Sequence, residues 1–256
     1  MLTEQIQQAR ALRSRLSKLQ GQLAEGQEPN LADWLITLEQ MTMYDKYFSQ
    51  EELEQLPIYT RADDVEAEWR PLVAQVQALL DAGTDPGDVP AQMLSKQWME
   101  KIRRDTDGNP VLFAKLNTMH EQEPSVQERT GITPRMMAFI LAASKAHQLS
   151  IYRKYVDDDE FAFMQANLGK RDAEWPPLLA RVRTAMDDDS TPDSPRVRAL
   201  ALEWFDLFRS FAGDKPSTQQ KIRKALQDEP ELTQSGMVDE HMRAFIAAAM
   251  QALRAG

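Results

Sequence analysis

With 256 residues, of which 40 are acidic and 30 basic, the chain carries a formal net charge of −10, which argues against direct binding to nucleic acid. The absence of cysteine excludes disulfides, thiolate zinc sites and a cysteine nucleophile. The longest apolar run, 136–143, is too short to span a membrane and the N-terminus has no signal-peptide pattern, so we expect a cytoplasmic protein without a membrane partner.

The N-terminal segment 2–25 has the apolar spacing of a coiled coil. Apolar residues recur at intervals of about three and four, with polar residues between them. The seam consists of Leu2, Ala9, Leu12, Leu16, Leu19 and Leu23. This pattern predicts a helix that either packs alone on the body of the protein or pairs with a second chain. A turn at 26–30 ends the helix.

Helix signals continue to the C-terminus. Ser49 with Glu52, and Asp157 with Glu160, have the spacing of a capping box. No alternating run of β-branched and aromatic residues indicates a strand. We therefore predict an all-α fold of about twelve helices. The longer ones cover 31–48, 62–81, 89–105, 109–123, 134–155, 172–188, 194–211, 215–228 and 237–254.

Two of these helices have apolar patterns that predict which side chains are covered. In the helix 89–105, Met93, Leu94 and Trp98 are expected to face the core. The helix 134–155 is almost wholly apolar over its first two turns. We therefore expect both of its sides, including Leu141, to be covered.

One stretch of sequence occurs twice. Ala-Glu-Trp-Arg-Pro-Leu at 67–72 recurs as Ala-Glu-Trp-Pro-Pro-Leu at 173–178, an offset of 106 residues (175 − 69) that also relates Trp98 to Trp204. Repeats of this kind predict a duplicated module. The predicted domains are an N-terminal dimerisation-type helix at 1–28, a first module at 29–148 and a second at 134–256, with the helix 134–155 shared.

The sequence has none of the residue patterns that catalysis or metal binding usually requires. The histidines His120, His147 and His241 do not form the His-Glu-x-x-His pattern of helical zinc hydrolases. The segment 105–109 begins like a calcium loop, but its glycine comes two positions early and Leu116 stands at the last ligand position. We predict no catalytic residue, no metal and no cofactor, and nothing in the sequence supports an enzyme.

An ordered set of motifs resembles a known drug-binding module. The set comprises Tyr-Asp-Lys-Tyr-Phe-Ser-Gln-Glu-Glu-Leu at 44–53, Glu68-Trp69, Ala-Gly-Thr-Asp-Pro at 82–86 and Trp98, and in the second copy Glu174-Trp175, Asp-Ser-Thr-Pro at 189–192, Trp204 and Phe-Ala-Gly-Asp at 211–214. These motifs resemble the drug-binding domain (TipAS) at the C-terminal end of the thiostrepton-induced regulator of the MerR family. The doubled arrangement, over about 31–254, is similar to the albicidin-resistance proteins.

The resemblance implies an all-helical, non-catalytic protein that sequesters an elongated aromatic antibiotic such as albicidin. It also implies a longer form that carries a winged helix-turn-helix ahead of the coil. The alternative function is therefore the ligand-sensing C-terminal part of a MerR-family transcription regulator that lacks its DNA-binding head. Residues 2–25 would then pair with the longer form as a heterodimer, whereas a sequestration protein would use them, if at all, to form a homodimer.

The duplication also indicates where a ligand could bind, because positions that differ between the copies are freer to contact it. In the helix 109–123, Phe113, Asn117 and His120 form one stripe at helical spacing. Their counterparts in the second copy are Gln219, Arg223 and Leu226. An aromatic ring, an amide and an imidazole suit an aromatic amide ligand. The alternative is that Phe113 packs under a loop and His120 is an ordinary half-buried histidine.

Four further aromatic residues complete the predicted ligand site. Phe139 and Tyr152 lie on the shared helix 134–155, where both modules could reach one ligand. Trp204 and Phe211 add aromatic surface in the second module. Each of the four is also a natural core residue, because large aromatic side chains dominate burial.

Overall fold

The computed structural model describes residues 43–188, 190–234 and 238–255. The predicted helix 2–25, its terminating turn and most of the helix 31–48 lie outside the described residues. Every regular element within the described ranges is a helix, which confirms the all-α prediction. The described residues fall into two units, one ending at Thr60 and the other beginning at Arg61.

The first unit has a helical segment at 43–47 followed by two short helices, α1 (Gln50–Gln55) and α2 (Pro57–Thr60). The predicted capping box starts α1. The Ser49 hydroxyl accepts a hydrogen bond from the Glu52 amide at 3.3 Å, and the Glu52 carboxylate accepts one from the Ser49 amide at 2.8 Å. Two backbone N–H groups that the helix leaves unpaired are thereby satisfied.

The second unit contains the helices from Ala62 onward of both predicted modules. The first module comprises α3 (Ala62–Asp81), α4 (Val89–Asp105), α5 (Pro110–Gln122), α6 (Pro124–Thr130) and α7 (Pro134–Tyr152). The second module follows α7 with α8 (Asp158–Asn167), a 3₁₀ turn (Asp172–Glu174), α9 (Trp175–Asp187), α10 (Pro195–Ala212), α11 (Pro216–Asp228), α12 (Glu231–Gln234) and α13 (Glu240–Ala255). Asn109, Thr133 and Ser194 each accept a first-turn amide hydrogen bond and are followed by proline, the usual start of a helix.

The two modules bury the same positions. In the first module, α3, α4 and α7 enclose one apolar cluster, which we call the first-module core. In the second module, α9, α10 and α13 enclose the second-module core. At the offset of 106 the buried pairs are Leu72 and Leu178, Val76 and Val182, Leu94 and Leu200, Met136 and Met242, and Ile140 and Ile246. Positions that match in sequence therefore hold the shared fold.

Each core is flanked by an edge-to-face tryptophan pair. The rings of Trp69 and Trp98 lie 4.9 Å apart at 78°, and those of Trp175 and Trp204 lie 5.2 Å apart at 87°. Such pairs are worth about 0.5–1.5 kcal/mol beyond the area that they bury. In the first module the Trp69 indole N–H also donates to the Asp105 carboxylate at 2.7 Å. The position of Asp105 is taken by phenylalanine in the second module, so this hydrogen bond has no counterpart there.

A third cluster joins the shared helix to the second module. The C-terminal end of α7 packs with α8, α10 and α11 in what we call the α8 cluster. It consists of Leu149, Tyr152, Val156, Met164, Leu168, Phe208, Ala212, Ile222 and Ala225. The same helix therefore contributes its N-terminal half to the first-module core and its C-terminal end to the second module.

Two side chains that we expected to be covered are exposed. Met93 is 59% exposed and Leu141 is 53% exposed, so these two predictions are wrong. Adjacent helix positions differ by about 100° around the axis. Because Leu94 and Ile140 point into the first-module core, the residue next to each of them turns away from it.

Helix α10 ends at a glycine that no other residue can replace without strain. Gly213 has φ 76° and ψ −177°, a region essentially restricted to glycine. Replacing Gly213 by alanine should lower the free energy of unfolding by about 2 kcal/mol, as measured by urea unfolding.

Gly83→Ala is the matched control for this substitution. Gly83 also has a positive φ, +67°, and no neighbour lies within 4 Å of an added Cβ. The Cβ of Gly213→Ala would meet only the Phe163 ring, at 3.5 Å, which is ordinary contact. We expect Gly83→Ala to cost about 1 kcal/mol. If both variants lost the same free energy of unfolding, the greater backbone strain expected in Gly213→Ala would be contradicted.

Candidate functional site

The helix that carries the predicted stripe connects the two modules. Helix α5 of the first module packs along α9 of the second. Phe113 is half-buried and lies against the second-module core, beside which Trp175 and Trp204 also pack. Ile102 of α4 contacts both the first- and second-module cores. Phe113, the first residue of the stripe, is therefore at the junction of the modules.

This position accounts for the difference between Phe113 and its counterpart. Gln219 lies on α11, which occupies in the second module the place that α5 has in the first. Its buried amide donates to the Gly213 carbonyl at 2.8 Å. Along α11 the residues at 220, 223 and 227 are exposed, polar or charged. Helix α11 thus presents a polar face, whereas α5 makes an apolar contact with the neighbouring module.

His120 carries a buried hydrogen-bond acceptor for which the described residues supply no donor. It is 8% exposed, and its Nδ1 lies 2.9 Å from the Leu116 carbonyl oxygen. Because that oxygen can only accept, Nδ1 must carry the proton and Nε2 must carry a lone pair. No described residue makes a hydrogen bond to this Nε2. Burial lowers the pKa of the His120 imidazole, so the ring is neutral at neutral pH.

Asn117 lies one helical turn from His120 on the same face of α5 and is half-buried. Its side chain makes no hydrogen bond to another described residue. The second module uses the two equivalent positions structurally. Arg223 lies 5.6 Å from the centre of the Phe208 ring, and Leu226 packs against the α8 cluster. Among the described residues, the Asn117 amide and His120 Nε2 thus have no hydrogen-bond partner, whereas the second module has packing contacts at both positions.

The remaining predicted contacts lie in different clusters. Tyr152 is 4% exposed in the α8 cluster, and burial raises the pKa of its phenol. Phe211 packs on the same cluster, with its ring edge-on to Phe208 at 5.5 Å. Phe139 is buried in the first-module core. Phe113 and Trp204 therefore both pack on the second-module core, Tyr152 and Phe211 both belong to the α8 cluster, and Phe139 lies in the first-module core.

An open depression along α11 offers different chemistry. It is lined by Ser217, Gln220, Lys221, Arg223, Lys224 and Gln227. Its cations are engaged, since Lys221 lies 2.6 Å from Glu160 and Lys224 lies 2.5 Å from Asp228. None of the seven predicted contacts lines it. Across the part of the chain that the structure describes, no group of acidic and histidine side chains is placed to hold a metal, and no helix is long and apolar enough to cross a membrane.

Sequence reasoning did not identify the residues that complete the junction. Trp175 and Ile102 both contact the cluster that Phe113 meets, but their spacing marks them only as inward-facing. The repeat offered one usable signal. A position that is aromatic in the first copy and polar in the last is typical of a contact between successive modules.

Comparison with known proteins agrees with this duplicated architecture. The TipAS antibiotic-recognition domain matches residues 49–147 and again 150–253. An albicidin resistance protein of Klebsiella oxytoca is 32% identical over 146 residues, which cover 56% of this chain and 65% of that protein. The match thus spans less than two thirds of the relative. Two tandem matches that together cover most of the chain place it in a family: it belongs to the TipAS antibiotic-recognition domain family.

Proposed function

We propose that this chain binds an elongated, largely aromatic antibiotic of the albicidin type and holds it away from its target without altering it. The observation that carries the proposal is the pair of unused polar groups on α5, the Asn117 amide and the buried Nε2 of His120. Membership of an antibiotic-recognition family supports it, as does the name of the relative.

The chemistry of the pair favours a ligand with amide or phenol groups. A buried acceptor that lacks a donor costs about 1–3 kcal/mol, and an N–H or O–H group of a ligand would recover that free energy. His120 supplies such an acceptor, while the Asn117 amide both donates and accepts. Phe113 and Trp204 at the module junction would supply aromatic surface, joined by Tyr152, Phe211 and Phe139 if the ligand extends along the shared helix.

The proposed activity is binding alone. We assign no catalytic residue and no cofactor, and resistance would then be stoichiometric, one antibiotic lost for each site filled. The proposed partner is a small molecule and not nucleic acid or a membrane. Pairing of two chains through residues 2–25 remains a prediction, as does a cytoplasmic location.

The direct test is a titration of intrinsic tryptophan fluorescence. Trp175 and Trp204 are half-buried against the same core as Phe113, so an aromatic ligand bound there should quench them. We expect saturable quenching at micromolar protein with an albicidin-type compound, and weaker or no quenching with a thiopeptide. Free N-acetyltryptophanamide at the same absorbance corrects for the inner-filter effect. The absence of quenching with both compounds would contradict the proposal.

A further inference from the structure

A polar cluster joins the second module to the first at a point away from the α5 stripe. Glu231, the first residue of α12, extends its carboxylate toward α4 and α7. One carboxylate oxygen lies 2.8 Å from Lys96 Nζ, and the other lies 3.2 Å from His147 Nε2. The second contact is at ion-pair distance but is not aligned as a hydrogen bond. A single carboxylate therefore meets two first-module side chains.

The orientation of a glutamine amide fixes what the other side of the His147 ring meets. Gln92 Nε2 donates to the Gly87 carbonyl at 2.7 Å, so its Oε1 is the atom left to face His147. That oxygen lies 3.2 Å from His147 Nδ1. An amide oxygen can only accept, so Nδ1 must carry a proton for this contact to be favourable.

Both ring nitrogens of His147 thus face acceptors. A neutral ring carries one proton, so it would turn a lone pair either toward the Gln92 oxygen or toward the Glu231 carboxylate. Either arrangement is repulsive. Only the doubly protonated imidazolium satisfies both contacts, and it adds an opposite charge to the one that Glu231 carries.

The cluster is specific to this junction and not part of the repeated fold. None of its four residues is kept at the offset of 106. Gln92, Lys96, His147 and Glu231 correspond to Arg198, Leu202, Leu253 and Ser125. Residues that merely support one module would be expected in both copies, as the core pairs are. The four side chains therefore serve the contact between modules.

We propose that His147 and Glu231 form a proton-dependent clasp that fastens α12 of the second module to α4 and α7 of the first. The charged groups at the cluster include Lys96 of α4 and Glu231 of α12, and Glu100 of α4 also acts electrostatically on Lys96. Hydrogen bonding from Lys96 holds the pKa of the Glu231 carboxyl below its ordinary value, so Glu231 stays charged near neutrality. When the His147 ring is doubly protonated, Glu231 is held by both His147 and Lys96, and when the ring loses one proton only the contact with Lys96 remains.

This inference does not depend on the proposed ligand, because it concerns how the modules are fastened. Its test is amide hydrogen exchange of α12 at about pH 5.5 and about pH 8, with rates expressed as protection factors that remove the intrinsic pH effect. The amides of Leu232 and Thr233 are suitable reporters, because they bond to the Glu229 and Pro230 carbonyls at 3.1 and 3.0 Å. Since the clasp is partly exposed, we expect protection to fall about two- to fivefold between the lower and higher pH.

Two variants separate the His147 contact from the Lys96 contact, and a third is the control. His147→Gln should abolish the pH dependence of protection in α12. Lys96→Met should lower protection at both pH values and keep the pH dependence, because lysine stays charged throughout this range. His241→Gln is the control, since His241 is exposed on α13, and it should behave like the wild type.

The outcome that overturns the proposal is an equal pH dependence in His147→Gln and in the wild type. Should that variant fail to fold, ring ¹⁵N chemical shifts of the wild-type protein decide the matter. Protons on both His147 nitrogens at about pH 5.5, lost more readily in Glu231→Gln, would support the clasp. A neutral ring at that pH would overturn it.

Discussion

Replacing His120 by leucine should weaken binding of the antibiotic by about five- to 140-fold while leaving the protein folded. Leucine is the residue that the second module has at this position, where it packs against the α8 cluster. The substitution removes the one buried Nε2 acceptor on α5 that no described residue satisfies. A ligand donor would then lose a hydrogen bond worth about 1–3 kcal/mol, and each 1.4 kcal/mol is a factor of ten in affinity.

The stability of the same variant separates ligand contact from a structural role. The variant removes the unpartnered Nε2, which favours folding, together with the Nδ1 hydrogen bond to Leu116, which opposes it, so the free energy of unfolding should change by less than about 1 kcal/mol. Asn117→Ala should weaken binding in the same direction, and the exposed His241→Ala should bind like the wild type. Tryptophan quenching gives the affinities and urea unfolding gives the stabilities. Wild-type affinity in His120→Leu would remove His120 from the site.

Replacing Glu160 by glutamine should lower the free energy of unfolding by about 2 kcal/mol, because hydrogen bonds to a charged group are worth about 1.5–3 kcal/mol. The Glu160 side chain is only 5% exposed, yet it accepts hydrogen bonds from Thr218 Oγ1 and Lys221 Nζ, both at 2.6 Å. It also closes the predicted capping box with the Asp157 amide at 2.9 Å. These contacts fasten α8 to α11.

Acid titration tests the same group without a substitution. Burial alone would raise the pKa of the Glu160 carboxyl, but hydrogen bonds from Lys221, Thr218 and Asp157 outweigh it and bring the pKa to about 2. Because the folded-state pKa is lowered, the stabilisation is complete above the ordinary value of 4.5 and is lost as pH falls from there toward 2. The loss of wild-type stability in this range should be smaller in Glu160→Gln.

Glu174→Gln is the matched control for a carboxylate in an ion pair. Glu174 pairs with Arg171 at 2.6 Å, but its side chain is 50% exposed. An exposed pair of this kind contributes about 0–1 kcal/mol, so the variant should be close to the wild type. Equal losses in Glu160→Gln and Glu174→Gln would contradict the importance of burial.

The helices could be predicted because their start signals are local. Ser49, Asp157 and Ser194 accept first-turn amides where their spacing indicates, since a cap needs only neighbouring residues. Asp88 has the extended backbone of an N-cap residue at the start of α4, but its side chain makes no capping hydrogen bond. Pro71 lies inside a continuous α3, whereas the prolines of the second copy lie in the first turn of α9. The short helices α2, α6 and α12 carry too few residues for a periodic pattern.

The candidate site was harder to predict because it depends on which module a helix touches. The stripe of Phe113, Asn117 and His120 lies along one face of α5 as its spacing indicates. That Phe113 on this face meets the second module follows only from packing of α5 on α9, which no local pattern encodes. The difference between Phe113 and Gln219 therefore has a structural cause as well as the proposed functional one. Packing explains Arg223 and Leu226 in the second module, but it does not explain Asn117 and His120 in the first.

Reversible capture is tested most directly by recovering the ligand after it has bound. The protein would be mixed with an albicidin-type compound in slight excess, freed of unbound compound by gel filtration, unfolded in denaturant and analysed by mass spectrometry. The proposed function predicts that the compound co-elutes with the folded protein and is released chemically unchanged, in an amount that matches the number of filled sites. Release of a cleaved or modified compound, or failure to co-elute at micromolar protein, would contradict it.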